Sequence, residues 1–329
     1  MMTGRFLVTG GAGYVGSHLV AALVDQGASV TVMDNFRTGH RAAVPPQARL
    51  VAADLADVEQ IDAVLAEGGW QAVFHFAALS QVGESMRMPM RYLLDNAANG
   101  MRLIDSCIRH GVMRFVLSST AALFNEPGEA PIPEDGRIDP QSAYGDSKWM
   151  IERALHWAGQ VHGMRYACLR YFNAAGADPA GRLGEDHRPE SHLIPLVIDA
   201  ALDRRPALEV YGDDYPTPDG TCIRDYIHVS DLATAHLLAL EHLDRGSVVW
   251  NLGNGAGHSV RQVIAAVERV SGLTVPHRIA PRRPGDAAVL VASSRRAQEA
   301  GWKPVHAALD EIVSTAFAWR KAHPSGYGD

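Results

Sequence analysis

Leu7-Val8-Thr9-Gly10-Gly11-Ala12-Gly13-Tyr14-Val15-Gly16 decides the fold. An apolar run at residues 5–9 enters a glycine turn, and an Ala/Leu-rich amphipathic stretch at 13–26 leaves it. Glycines at 10, 13 and 16 let backbone approach a pyrophosphate closely. The helix start adds free N–H groups and the positive end of a dipole. GxGxxG spacing alone is a weak signal, because a tight βα turn that binds nothing shows it too. Here it follows a strand, opens a helix and leads to an acid ending the next strand, Asp34 after Val30-Thr31-Val32-Met33. That carboxylate predicts contact with ribose hydroxyls and repulsion of a 2′-phosphate, hence NAD rather than NADP. Arg37 nearby works against the preference. Asp54, past the third apolar run, reads as an adenine-side contact or as a helix cap.

Outward from this turn, short runs recur at 29–34, 49–53, 72–77, 114–119 and 165–170. None alternates strongly, as expected for strands covered on both faces by crossover helices. Helical stretches at 13–26, 58–67, 90–110 and 144–162 separate them. The fold class is therefore α/β, a Rossmann-type doubly wound parallel sheet with a smaller C-terminal substrate-binding lobe. The predicted division gives 1–172 to the dinucleotide domain, with a segment near 222–250 returning to it; 173–221 and 251–329 form the second lobe. Gly, Pro and Asp concentrate at 173–188 and 212–220, which reads as ligand-facing loops. Further helices are expected at 193–204, 229–242 and 259–271.

The bulk composition narrows the function. The chain has 329 residues, 47% of them hydrophobic, so one large or two closely knit domains are expected. A net charge of -7 argues against nucleic acid as partner, and an anionic ligand needs a local basic pocket. Cys107, Cys168 and Cys222 lie far apart without a CxxC pair, which suits a reducing compartment. No signal peptide and no membrane-spanning run is read, so the expected location is cytoplasmic. Fifteen histidines form no HExxH-like pattern, and no metal is expected. His75, inside an apolar strand, reads as a core histidine.

Tyr144-Gly-Asp-Ser-Lys148 puts a phenol and an ammonium four residues apart on one helix face. A free tyrosine, with a pKa near ~10, is too weakly ionised to act as a base at neutral pH. A nearby ammonium and an oxidised nicotinamide would both favour the phenolate. YxxxK is common on surface helices, but here it follows a Rossmann turn and the strand Phe115-Val116-Leu117-Ser118-Ser119-Thr120. Thr120, at the carboxyl end of that strand, offers a hydroxyl to a reacting oxygen.

With these residues in view, the sequence resembles the extended short-chain dehydrogenase/reductases, and within them the UDP-glucose 4-epimerase family. The motifs carrying the likeness are GGAGYVGSH, HFAALSQVGES, LRYFNAAGADP, GDDYPTPDGTCIRDYIHVSDLA and APRRPGD. The resemblance implies NAD contacts from Gly10, Gly13, Tyr14, Val15, Gly16, Asp34, Asn35, Asp54 and Leu55. It adds Phe76, Ala77, Ala78, Asn99, Ser118 and Tyr171, with Tyr144 and Lys148. It implies catalysis by Thr120, Tyr144 and Lys148. A UDP-sugar substrate would be held by Thr120, Asn173, His192, Leu193, Arg224, Arg283, Asp286 and Leu290. The two arginines also make sense by themselves as a diphosphate clamp. They read equally as surface arginines, Asn173 as a turn residue, and Asp286 as an arginine partner. The implied reaction interconverts UDP-galactose and UDP-glucose through a 4-keto intermediate, in a homodimer; the apolar faces of helices 90–110 and 144–162 read equally as its interface or as ordinary core packing.

The sequence departs from the family pattern at five places. Thr120 stands for a frequent Ser, Phe124-Asn125 for a Tyr-Gly pair, and Ser80 for a cofactor-contacting Lys. His192 replaces an Asn, and Leu290 occupies a position that helps set sugar-pocket size. Ala121-Ala122 supplies neither the Asp-Glu pair of the 4,6-dehydratases nor the Glu of related decarboxylases. A 4-epimerase of UDP-pentoses or UDP-N-acetylhexosamines shares the same C4 chemistry and stays open. A non-catalytic NAD-binding sensor is opposed by the intact Tyr/Lys pair, and a transcriptional regulator by the absence of a basic recognition helix.

Overall fold

The computed structural model describes residues 3–124, 131–283 and 286–328. The chain begins β1 (Arg5–Thr9), α1 (Tyr14–Asp25), β2 (Ser29–Asp34), β3 (Arg49–Ala52), α2 (Val58–Leu65) and β4 (Trp70–His75). Next come α3 (Val82–Arg87), α4 (Pro89–Tyr92), a π-helical turn at Leu93–Ala98, α5 (Asn99–Arg109), β5 (Arg114–Thr120), α6 (Ala143–His162) and β6 (Arg165–Tyr171). The seven-stranded parallel sheet runs in the order Val248–Leu252, β6, β5, β4, β1, β2, β3. The chain winds from β1 through β2 to β3, then restarts on the other side of β1 with β4. That reversal places the crevice for a ligand between β1 and β4, beyond their carboxyl ends.

The period of two explains why the strands lack polar alternation. Phe6, Val8, Val30, Val32, Phe74, Val116 and Leu169 face one core, with Leu19, Val20 and Leu23 of α1. Leu7, Met33, Val73, Phe115, Leu117 and Cys168 face the other, with Ile61 and Leu65 of α2, Leu103 of α5, and Ile151 and Leu155 of α6. Each large apolar side chain fully buried this way contributes about 1.5–3 kcal/mol.

Beyond β6 follow β7 (Asn173–Ala175), α7 (Leu193–Ala201), β8 (Leu208–Tyr211), β9 (Ile223–His228), α8 (Val229–His242) and β10 (Val248–Leu252). The remainder is β11 (Gly257–Ser259), α9 (Val260–Ser271), β12 (His277–Ala280), β13 (Val289–Leu290), α10 (Arg295–Glu299) and α11 (Leu309–Ala322). β7, β9, β11 and β13 make a second sheet and β8 pairs with β12, over a third core that includes Ile194, Val197, Val263, Val267 and Ile312. Helix α9 starts where its sequence dictates. The Ser259 side chain accepts Gln262 N–H at 3.1 Å, Gln262 Oε1 accepts Ser259 N–H at 2.8 Å, and Gly272 closes the helix at φ +70°.

Four expectations are corrected. The helix expected at 90–110 is interrupted by the π turn, where the extra residue swings Asn96 toward Leu79. Residues 173–175, expected in a loop, form β7, because β9 offers its free edge to them. Of the stretch near 222–250, β10 joins the large sheet and α8 packs on its α1 face, whereas β9 belongs to the second sheet. Helix α7 also ends at Ala201, three residues earlier than expected, with Arg204 N–H turned back onto the Asp199 carbonyl.

Candidate active site

The glycine turn and the residues after β4 lie against each other. Phe76 and Ala77 donate their N–H groups to the Thr9 carbonyl at 2.8 and 3.1 Å. Gly10, at φ +72°, comes so close that a Cβ there would sit 2.4 Å from the Ala77 nitrogen. A Cβ on Gly16 would sit 2.3 Å from the Gly10 carbonyl oxygen. Both positions admit only glycine. Gly13 N-caps α1 without a side-chain bond, Val15 packs on the core, and the Tyr14 hydroxyl donates to the Gly176 carbonyl at 2.6 Å.

Buried Asp34 accepts Ala12 N–H at 3.0 Å and Phe36 N–H at 2.8 Å, with burial raising its pKa. It therefore fixes the turn from the end of β2. Asn35 donates to Asp54 at 2.9 Å, and Asp54 also accepts Ala56 N–H, while Asp57 is the actual cap of α2. Leu55 is buried beside them. Arg37 pairs with Asp95 at 2.5 Å. Ala78 is half-buried, Ser80 is exposed, and Asn99 is buried with its carbonyl accepting from Arg102 at 2.6 Å. This set fits a dinucleotide: two glycines pressed against backbone, a helix start, and a carboxylate at the neighbouring strand end.

Thr120, Ser118 and Tyr171 lie at the ends of β5 and β6, next to this cradle. Ser142 caps α6, accepting Gly145 N–H at 3.1 Å, and so aims the first turn of the helix at those strand ends. Lys148 is fully buried and donates to the Ser118 carbonyl at 2.8 Å. Loss of solvent pushes its pKa down to about 8, and Glu152 opposes that shift. Burial raises the Tyr144 phenol, and a hydrogen bond with Thr120 lowers it. The protein surroundings alone thus favour the neutral phenol. Ser118 and Tyr171 share a hydroxyl–hydroxyl hydrogen bond, and Thr120 also accepts Ala122 N–H at 3.1 Å. Phe124 stacks on Phe172, with 6.5 Å between ring centroids. Asn125 lies outside the described residues, as do Pro284 and Gly285 of the APRRPGD motif.

The distal residues are more dispersed. Asn173 donates to the Asp225 carbonyl at 2.9 Å, a structural use of its amide. Arg224 on β9 forms an ion pair with Asp286, the pairing that the sequence left open for that acid. Exposed Arg283 covers the Tyr211 ring at 4.0 Å. Leu290 lies beside Arg224 in the β13–β9 register and is half-buried. Leu193 opens α7 against the third core, and His192 Nδ1 faces Glu185 at 2.8 Å.

Three supporting groups escaped the sequence reading. Asn96 clamps the loop after β4 through Leu79 N–H and C=O at 2.8 and 2.9 Å, and donates to Ser147 at 3.1 Å. No sequence pattern marks it. Glu152, one turn beyond Lys148, holds Ser119 at 2.5 Å and Arg170; its i, i+4 spacing was the available signal. Asp225 gathers the N–H groups of Asn254, Gly255 and Ala292, and burial raises its pKa to about 6.

The model of the NAD dependent epimerase/dehydratase family matches residues 6–253. A UDP-glucose 4-epimerase of Halalkalibacterium halodurans is 48% identical over 98% of this chain and 97% of its own length. The crystal structure of the Brucella ovis UDP-glucose 4-epimerase in complex with NAD is 43% identical, with a TM-score of 0.93 over 96% of this chain and 98% of that one. The Bifidobacterium longum UDP-glucose 4-epimerase in complex with NAD⁺ and UDP is 35% identical, with a TM-score of 0.92 over 98% and 99%.

Proposed function

Since the chain belongs to the NAD-dependent epimerase/dehydratase family, we propose that it interconverts UDP-galactose and UDP-glucose by inverting C4. The observation that carries this reading is the meeting of Tyr144 and Thr120 with buried Lys148, which donates to the Ser118 carbonyl at 2.8 Å beside the glycine cradle. When bound, NAD⁺ supplies a hydride acceptor and a positive charge near the phenol. Tyr144 then takes the proton from the sugar O4, and Thr120 positions that oxygen. Lys148 holds the ammonium charge that favours the phenolate. Arg224 and Arg283 keep the diphosphate held while the 4-keto ring turns about its bond to that phosphate. Tyr144 returns the proton once C4 is reduced on its other face, so the cofactor is regenerated within each turnover.

The remaining assignments belong to the same proposal. Gly10, Gly13, Tyr14, Val15, Gly16, Asp34, Asn35, Asp54, Leu55, Phe76, Ala77, Ala78, Asn99, Ser118 and Tyr171 line the dinucleotide. Asn173, His192, Leu193, Asp286 and Leu290 join the arginines around the UDP-sugar. The large sheet with α8 and β10 forms the dinucleotide domain, and the other segments form the substrate lobe. Among the described residues no helix is long and apolar enough to cross a membrane. Three free cysteines support a reducing, cytoplasmic setting. Exposed Met90, Leu94 and Met101, with Met150, Trp157 and Val161 on α6, support a homodimer through those helices.

The test is an epimerisation assay across UDP-galactose, UDP-N-acetylgalactosamine and UDP-xylose, with free NADH monitored. UDP-glucose formation without NADH release is expected. Stoichiometric NADH release would end this scheme. A preference for the N-acetylated or pentose substrate would move the assignment to another UDP-sugar, with Leu290 the first residue to change.

A further inference from the structure

Glu185, His187, Glu190 and His192 lie in the segment between β7 and α7, apart from Tyr144, Thr120 and Lys148; of the four, His192 alone is also assigned to the UDP-sugar. One ligand atom from each falls within 4.8 Å of the other three. His187 Nδ1 lies 3.2 Å from Glu185 Oε1 and 3.8 Å from Glu190 Oε1; His192 Nδ1 lies 2.8 and 3.3 Å from the same two oxygens. Although these atoms are close, Glu185 Oε1 and His187 Nδ1 are buried and make no hydrogen bond, and neither does Glu190 Oε2. Glu190 Oε1 accepts Ser191 and His192 N–H at 2.8 and 2.9 Å. The carboxyl group of Glu185, on a residue 7% exposed, therefore lies within ion-pair distance of two imidazole nitrogens without an aligned hydrogen bond to either.

Such convergence without hydrogen-bond geometry is what ligands of a small cation show. A tetrahedral ion with bonds of about 2.0–2.1 Å has ligand–ligand edges of about 3.3 Å. The four nitrogen–oxygen separations bracket that edge. Two imidazoles and two carboxylates suit a divalent first-row transition ion, whose charge the two carboxylates neutralise. Access exists, because an open cleft of about 580 Å³ is lined by Asp186, His187, Glu190, Arg320 and Pro324. The Tyr14 ring stands edge-on to His187, with 6.2 Å between centroids, so the cluster abuts the glycine turn.

We propose that Glu185, His187, Glu190 and His192 form a Zn²⁺-type metal site that ties the segment before α7 to the dinucleotide turn. The competing arrangement is a metal-free quartet in which two imidazolium rings pair with two carboxylates. To decide, the purified holoenzyme is stripped with a chelator, loaded with Zn²⁺ and gel-filtered before its metal is counted. The proposal expects one zinc per chain in the wild type. His187→Asn and Glu190→Gln should each weaken binding beyond the about 10–100-fold that outer-shell changes cost. A wild type that retains no zinc, or variants that retain it equally, would overturn the site. Should the variants not fold, X-ray absorption of the zinc-loaded wild type decides. Two imidazoles with oxygen ligands uphold the proposal; any other coordination refutes it.

Discussion

Arg170 clasps Glu152 in the interior, its Nε donating to Oε1 at 3.0 Å and its Nη2 to Oε2 at 2.6 Å. Both side chains are about 5% exposed, and the pair joins β6 to α6 one turn past Lys148. A buried pair of this kind is costly to break from one side, since the stranded charge keeps no partner. Arg170→Met should lower the unfolding free energy by about 3–5 kcal/mol in urea titrations. Replacing both partners with apolar residues should recover most of that loss. Equal stability of the single variant and the wild type would show that the pair contributes nothing.

Glu152 also sets the charge of Lys148. Burial lowers the lysine to about 8 while the carboxylate holds it up, so the ammonium predominates only below that pH. Glu152→Gln removes the upward pull and should move the alkaline limb of kcat/KM to lower pH. The measurement is a pH–rate profile on the folded variant. An unmoved limb would separate Lys148 from the titration.

Tyr144→Phe keeps the ring and removes the proton carrier. General acid–base groups contribute about 10²–10⁴-fold, and kcat should fall by that order while bound NAD is retained. Thr120→Ser preserves the hydroxyl that lowers the Tyr144 phenol and should stay near wild type, whereas Thr120→Ala should lose about 10–100-fold. Full activity in Tyr144→Phe would remove the phenol from the mechanism.

How far these residues could be read beforehand depended on local signals. The large sheet was legible because its strands are continuous apolar runs split between two cores, and the dinucleotide turn because Gly10 and Gly16 have no room for a Cβ. The Tyr144–Lys148 pair was legible as a helix spacing. What stayed hidden depends on contacts between distant segments. Asn96 acts through a π turn that helical periodicity cannot show, and Asp225 draws in N–H groups from residues 29 to 67 positions away. Residues 185–192 follow no helical ligand spacing, so their convergence emerged only in three dimensions.

Gly10→Ala tests the cradle. Its Cβ would meet the Ala77 nitrogen at 2.4 Å and the residue would keep a left-handed φ of +72°. Gly27 has a similar φ of +86° but nothing within 4 Å, so Gly27→Ala isolates the conformational cost, about 1–2 kcal/mol. NAD content, read by chromatography of the denatured protein, should collapse in Gly10→Ala and persist in Gly27→Ala. Equal NAD content in the two variants would refute the close-approach role.

Buried histidines make the fold acid-labile. Burial lowers His18 and His236 to about 4, and His75 and His228 to about 3, from an ordinary value of 6.5. Below pH 6.5 the unfolded chain takes up protons that these four rings refuse. Their contribution is therefore present above 6.5 and lost as pH falls toward 4. Asp225, raised to about 6, runs the other way, as do Asp34 and Asp231, which burial also raises; all three take up protons in the folded state first. The four imidazoles outnumber the three carboxylates, so the net change between pH 6.5 and 4 is a loss of stability as pH falls. Urea midpoints at pH 7 and pH 5 measure it. The midpoint should fall sharply at the lower pH, and equal midpoints would mean that these imidazoles titrate freely in the folded protein.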